Sequence, residues 1–268
     1  MEISEAIINF CPAFIDEHGK LYFHHDRQAK SLSISFPNTK PISFLKIPEG
    51  SFLMGSRETD LHVRRNEYPQ HKVKVRSFYL GQIPITQHQW MAVTGQKCRG
   101  NSNSLGQDLP VVNVWLDEAI NFCDKLSKLT NLSVRLPSEA EWEYACRAGT
   151  NTPFCYGESL TTEVAKYAVS ALEISRLKIA GEIDAPNDFG LLDMHGNVWE
   201  WCSDIWHEDY KDAPADGSSW ISGGDVGYCV QRGGSWRSHM DTCRSAMRVG
   251  DIARNDEDIV GLRVCFSV

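Results

Sequence analysis

The spacing of apolar residues changes period several times along the chain, and each change marks an element. His71-Lys72-Val73-Lys74-Val75-Arg76 alternates with period two, the pattern of a strand with one buried face. Phe44-Leu45-Lys46-Ile47-Pro48 and Ser51-Phe52-Leu53-Met54-Gly55 are short apolar runs on either side of a Glu-Gly turn. From about 116 to 129 the period lengthens: Ala119, Phe122, Cys123, Leu126 and Leu129 recur at three and four, which predicts a helix with one apolar face. Thr86-x-x-Gln89 and Ser138-x-x-Glu141 are capping boxes, in which side chain and backbone satisfy each other's free groups at a helix start. They predict short helices, one through Trp90 and Val93, the other through Trp142, Ala145 and Cys146 and stopped by Gly149. The last residues return to alternation, with Leu262, Val264, Phe266 and Val268 on one face and Arg263, Cys265 and Ser267 on the other, so a terminal strand is expected.

Residues 1–40 are the least patterned. Lys20-Leu21-Tyr22-Phe23-His24 and Ser31-Leu32-Ser33-Ile34-Ser35-Phe36 read as short edge strands, and Asp16-Glu17-His18-Gly19 as a turn. Beyond Gly149 the chain is rich in Gly, Asp, Asn and Trp without a regular period, which predicts long loops. Few helices, scattered strands and a long irregular stretch give an α+β class rather than a parallel α/β sheet. No linker interrupts the pattern, so one domain over 1–268 is expected, with 1–40 an extension or a set of edge strands.

Composition narrows the function classes. Apolar residues make up 42% of the 268 and charged residues 23%, enough to build a packed core. The formal charge of -8, with Lys and Arg scattered, disfavours nucleic acid and anionic membrane as partners. The first residues lack a basic flank and an apolar core, and no run approaches eighteen apolar residues, so a cytoplasmic location is expected. Nine cysteines without a C-x-x-C pair read as reduced, mostly buried thiols.

A series of motifs resembles one family in its order. Phe52-Leu53-Met54-Gly55-Ser56 is followed by Glu67-x-Pro69-x-His71-x-Val73, Pro84-Ile85-Thr86-x-x-x-Trp90 and Leu109-Pro110-Val111-Val112-x-Val114. Then come Arg135-Leu136-Pro137-Ser138-Glu139-Ala140-Glu141-Trp142-Glu143-Tyr144-Ala145 and Asn187-x-Phe189-Gly190-Leu191-x-Asp193-Met194-x-Gly196-Asn197-Val198-Trp199-Glu200-Trp201. Arg232-Gly233-Gly234-Ser235-Trp236 and Gly261-Leu262-Arg263 complete the set. Eight segments in this order over about 220 residues resemble the formylglycine-generating enzyme, or sulfatase-modifying factor, family. The resemblance implies a C-type-lectin-like α+β fold with little regular structure. Read residue by residue, Trp142, Trp199 and Trp201 are packing aromatics, and His71 and His195, without partners at metal spacing, are hydrogen-bonded structural histidines.

The resemblance also implies metals. A family calcium site falls on Asp193-Met194-His195-Gly196-Asn197-Val198-Trp199-Glu200, where Asp193 and Glu200 would supply carboxylates and Gly196 and Val198 carbonyl oxygens. A second site should involve Ala165-Lys166-Tyr167, where Lys166 puts a cation in place of a neutral ligand, so its loss is expected. The family's copper-binding cysteine pair falls on Ser238 and Cys243. A serine hydroxyl neither matches copper(I) in softness nor ionises near neutral pH, so copper and oxidase activity are not expected. The alternative is a related oxidase that uses Cys243 with another metal ligand.

A recognition surface is the reading that remains. Trp236, Arg237, Ser238, His239, Met240 and Asp241, with Met247, Val249, Asp251, Arg254 and Asp258, are chemically mixed residues between scaffold motifs, in the segment 236–260. The arrangement is similar to variable proteins of diversity-generating retroelements, in which residues between Gly-Gly-Ser-Trp and the last strand are randomised at adenines. From asparagine-type codons, which such systems commonly target, Arg237, Ser238, His239, Val249, Asp251, Asp258 and Ile259 are reachable in that way; Met240, Met247 and Glu257 are not, so they must lie at untargeted positions. An undiversified non-catalytic paralogue stays open beside it. The expected ligand is a protein or a small molecule, and the fold alone does not make it a sugar.

Overall fold

Alternating apolar residues lay down the first half of the chain as strands, and the capping boxes then start the helices. The computed structural model describes residues 1–99, 106–170, 176–254 and 257–268. Strands β1 (Glu2–Phe10), β2 (Ala13–Ile15), β3 (Leu21–Phe23), β4 (Arg27–Ser35), β5 (Ile42–Ile47), β6 (Gly50–Met54), β7 (His71–Val75) and β8 (Phe78–Gly81) precede helix α1 (Gln87–Thr94). Helix α2 (Leu116–Thr130), strand β9 (Val134–Arg135) and helix α3 (Glu139–Arg147) follow. After a long irregular stretch come β10 (Trp199–Trp206), β11 (Asp225–Arg232), β12 (Arg248–Ile252), β13 (Val260–Gly261) and β14 (Cys265–Ser267). The class is α+β: a six-stranded sheet in the order β1-β4-β5-β8-β14-β9, a four-stranded sheet β12-β11-β10-β13, and the ribbons β2-β3 and β6-β7.

Both capping boxes form. Thr86 Oγ1 accepts from Gln89 N at 3.2 Å while Gln89 Oε1 accepts from Thr86 N at 2.9 Å. Ser138 and Glu141 repeat the exchange at 3.0 and 2.9 Å. The apolar face of α2 packs with Trp90, Trp199, Trp201 and Leu262 into one core, and α3 packs with β7, Leu191 and Val230 into a second.

Three expectations are corrected. The outer edge strand is β1, with both faces mostly exposed, so its pattern carried no burial signal; it pairs along its whole length with β4. The stretch after Gly149 is irregular only as far as 198, and then forms the four-stranded sheet. Its strands hide because charged residues occupy their buried positions: Glu200, Arg232 and Arg248 are 1%, 0% and 0% exposed. The chain end is buried on both faces as far as Phe266. β14 lies between β8 and β9, Arg263 and Cys265 are fully buried, and Val268 is exposed.

Those buried charges are matched. Arg248 donates from Nε and Nη2 to the two oxygens of Glu139 at 2.7 and 2.9 Å. Glu143 receives Arg147 Nε at 2.8 Å and Arg232 Nη2, and Arg244 grips Glu67 with two bonds of 2.7 Å. Removing one partner strands the other charge in a low-dielectric interior. Glu139→Gln is therefore expected to cost about 3–5 kcal/mol in chemical denaturation. Glu182→Gln, which removes the exposed pair with Lys178, should cost under about 1 kcal/mol. Equal costs would show that the buried cluster does not hold the sheets together.

Candidate functional site

The segment expected to carry chemistry begins where β11 ends. Gly233 and Gly234 both have positive φ, 99° and 77°. A Cβ on Gly233 would stand 3.1 Å from the Trp142 ring, and one on Gly234 would stand 2.5 Å from Cys243 Sγ. Only glycine lets this turn lie against both. The turn is tied back by Gly196 N donating to Gly233 O at 2.7 Å and Trp236 N donating to Asn197 O at 2.9 Å.

Ser238 closes the next turn. Its Oγ accepts from Ser235 N at 2.9 Å and lies 3.1 Å from Ser235 Oγ, while its own N–H donates to Ser235 O at 2.9 Å. Cys243 ends a short 3₁₀ turn, Met240–Cys243, and is fully buried beneath Gly234; burial pushes its thiol well up from the usual cysteine range. The two positions therefore hold a hydrogen-bonded hydroxyl and a protonated, packed thiol. None of the nine cysteines is bonded to another, and Cys11 is the one exposed.

Behind Cys243 sits His195, 1% exposed. Its Nδ1 stands 2.7 Å from the Cys243 carbonyl and its Nε2 accepts from Cys155 N at 3.1 Å, which assigns the proton to Nδ1. Burial lowers its pKa to about 4. Cys146 Sγ lies 3.6 Å from Nε2, and burial raises that thiol to about 12. His195 is thus a neutral structural histidine, and Trp142, Trp199 and Trp201 are buried packing residues.

The expected recognition residues separate into groups. Trp236, Arg237 and Asp258 come together: the guanidinium lies 4.5 Å from the indole centroid and 3.3 Å from Asp258 Oδ1, and Trp236 Nε1 donates to Asp258 O at 3.3 Å. Beside Ser238, His239 Nδ1 meets Asp241 Oδ2 at 3.0 Å, and His62 Nδ1 approaches the same oxygen at 3.7 Å. Arg237 and His239 expose 55% and 59% of their side chains, whereas Met240 is half-buried against the core around Cys243. Arg254 is elsewhere, 3.2 Å from Asp117 and over the Trp115 ring that Arg99 also covers. Val249 and Asp251 are half-buried on β12, with Gln231 Nε2 donating to Asp251 at 3.1 Å. Met247 cannot serve as a surface residue: it is 1% exposed, packed in the core with its carbonyl accepting from Arg232. Asn255 and Asp256 lie outside the described residues. His62 was not foreseen; it stands between β6 and β7 with no sequence pattern to link it to Asp241.

The calcium expectation does not fit the residues as folded. Both oxygens of Glu200 are committed: Arg263 donates to them from Nε and Nη2 at 2.9–3.1 Å and Trp142 Nε1 donates at 2.7 Å. A divalent cation there would have to displace a guanidinium. Asp193 Oδ2 accepts from Gly181 N at 2.8 Å and Asn197 Nδ2 at 3.2 Å, and burial raises its pKa, which disfavours the charged form a cation needs. Of the backbone oxygens, that of Gly196 accepts from Val198 N at 2.9 Å. At Lys166 the carbonyl accepts from Asn197 N at 2.7 Å, and a Cβ on Gly196 would stand 2.1 Å from it.

The turn, its glycines and the buried Glu200–Arg263 pair correspond to motifs that a single family model covers from residue 31 to residue 268, described as the sulfatase-modifying factor enzyme 1-like domain. The chain belongs to this family. Among curated relatives it is 32% identical over 229 residues to serine/threonine-protein kinase pkn1 of Chlamydia caviae, covering 75% of this chain and 34% of the kinase. It is 33% identical over 172 residues to the formylglycine-generating enzyme of Mus musculus, covering 58% of this chain and 44% of that enzyme. The chain thus spans about a third of the kinase and less than half of the enzyme. It shares its fold with Treponema denticola variable protein 1, at a TM-score of 0.73 and 23% identity over 90% of this chain and 99% of that one. Residues 1–30, which supply β1 and most of the hairpin with β4, lie outside the family match.

The neutral His195 makes a pH prediction. Its folded pKa of about 4 lies below its ordinary 6.5, so between these values the unfolded chain binds a proton that the folded chain refuses. Its contribution is fully present above pH 6.5 and falls by about 3 kcal/mol as the pH drops to 4. Denaturant melts of His195→Gln should show that slope removed relative to the parent chain; an unchanged slope refutes the assignment.

Proposed function

We propose that this member of the sulfatase-modifying factor family is a non-catalytic recognition domain, which binds a protein or small-molecule ligand through residues 236–241 together with Asp258. The observation that carries the reading is at the cysteine pair. The Ser238 hydroxyl closes a backbone turn and the Cys243 thiol is fully buried under Gly234. Copper(I) asks for soft thiolates at reach of substrate, and a protonated thiol under a packed turn beside a hydroxyl supplies neither. Around that turn, exposed Arg237 and His239 and half-buried Trp236 offer a cation, a hydrogen-bonding ring and an aromatic plane on a rigid frame.

The finer reading, a variable protein of a diversity-generating retroelement, draws support from the pattern of burial. Met240 and Met247, which adenine-directed change of asparagine-type codons cannot produce, are half-buried and buried, while Arg237 and His239, which it can, are exposed. A template repeat beside the gene that differs from codons 236–260 only at adenines, with a reverse transcriptase gene, tests it; absence of both refutes it. The oxidase alternative would need Cys243 to reach solvent.

Two measurements check the proposal. Competition titration with copper(I) should give no tight stoichiometric site, and an oxygen electrode should show no uptake with a cysteine-containing sulfatase-type peptide; either signal overturns the non-catalytic reading. Peptides selected by display against the intact domain should bind the Arg237→Ala/His239→Ala variant at least about tenfold more weakly, as for loss of a central contact, with an unchanged circular dichroism spectrum. Equal binding by parent and variant would place recognition elsewhere.

A further inference from the structure

A cavity of about 820 Å³ opens between the chain that follows β10 and the β11–β12 hairpin, built from residues that no sequence motif singles out. Its walls are Trp206, Trp220 and Tyr228. The two indoles are held in place. Trp220 stacks on His207 with centroids 3.4 Å apart and planes 7° apart, and the two nitrogens of that histidine stand 3.1 and 2.9 Å from the carbonyls of Ile205 and Ser222. Trp206 lies 4.5 Å from the buried Arg248 guanidinium on one side and rests on Gly250, where a Cβ would stand 2.4 Å from its ring. The rim is acidic: Glu208, Asp209, Asp212 and Asp225 face a single cation, Lys211.

We propose that this cleft docks a basic, Arg- or Lys-bearing segment of a partner protein. The chemistry follows from the lining. Rigid indole and phenol planes take up the aliphatic stem of a basic side chain and attract its cation through their negative faces. Carboxylates at the mouth complement the charge and steer the encounter. Nucleic acid and other polyanions are repelled by the same rim. A free small cation would use the aromatic planes but leave unused the apolar surface beside the cleft on the β11–β12 hairpin, where Tyr228 is 41% exposed, Ile252 paired with it is 47% exposed, and Val226 is 85% exposed. A peptide carrying basic and apolar residues covers both features. This surface does not depend on residues 236–241, so it stands or falls separately from the reading above.

The test uses the full chain and a fluorescein-labelled nona-arginine peptide, followed by fluorescence anisotropy at 0.15 M salt. The parent chain is expected to bind it, and Tyr228→Ala and the exposed double variant Glu208→Gln/Asp212→Asn should each weaken binding about threefold or more. A control double variant, Glu17→Gln/Glu163→Gln, removes the same charge from exposed positions elsewhere and should change binding less than twofold. The proposal is overturned if the peptide does not bind, if the control weakens binding as much as the rim variant, or if Tyr228→Ala leaves binding unchanged. Should Tyr228→Ala fail to fold, the comparison of the two surface double variants alone decides.

Discussion

Guanidinium–carboxylate pairs sealed away from water hold the two sheets and α3 in one arrangement. Glu139 and Glu143 lie one helical turn apart on α3 and receive Arg248 of β12 and Arg232 of β11, while Glu200 of β10 receives Arg263 just before β14. Further donors of Arg248 reach the carbonyls of Asn66 and His207, those of Arg263 the carbonyls of Gly81, Gln82 and Leu192, and Arg232 Nη1 that of Met247, while Arg232 Nε has no hydrogen-bond partner among the described residues and stands 3.6 Å from Glu139 Oε1. A core of this kind is not more stable than an apolar one of the same volume. Its effect is positional, because a fork of five donors accepts few geometries. Segments 41 to 182 residues apart are thereby fixed by directional bonds, which suits a protein with long irregular stretches and short helices.

The same pairs explain what could and could not be read from the residue pattern. The helices were legible because their signals are local: Thr86 with Gln89, Ser138 with Glu141, and the three-four spacing on α2 all lie within one or two turns. The family motifs were legible as an order of short segments, and that order does lead to an α+β lectin-type fold. β10, β11 and β12 were not legible, since Glu200, Arg232 and Arg248 look like solvent-facing residues until their partners 60 to 110 positions away are known. What surrounds the expected calcium ligands was hidden for the same reason. Asp193 and Glu200 have suitable oxygens, but sequence spacing does not reveal that Arg263 and Trp142 already fill Glu200.

The site shows a similar limit in another form. Contiguity in the segment 236–260 suggested one surface, yet strand alternation distributes it. Arg248 and Gly250 face the side of the sheet that holds Glu139 and Trp206, and Val249 and Asp251 face the other with Gln231. Met247 is drawn inside because its carbonyl caps Arg232. The aromatic cleft was invisible for the opposite reason: Trp206 ends β10, Tyr228 lies on β11 and Trp220 on the connection between them, and the cleft forms where Gly224 and Gly250 let the backbone approach Trp206 and His207.

Loss of one thiol from the family's pair need not disturb this frame, and the geometry says why. At 238 the side chain points at the start of its own turn, where a hydroxyl is a better acceptor for Ser235 N than sulfur would be. At 243 the side chain packs under Gly234 with nothing exposed, so a sulfur there serves as volume, and its carbonyl fixes the tautomer of His195. Serine at the first position and cysteine at the second each fit their local surroundings. Exposing a thiolate pair here would leave the Ser235 amide without its acceptor and would open the turn over 243, and that cost is the physical ground on which the proposed recognition role rests.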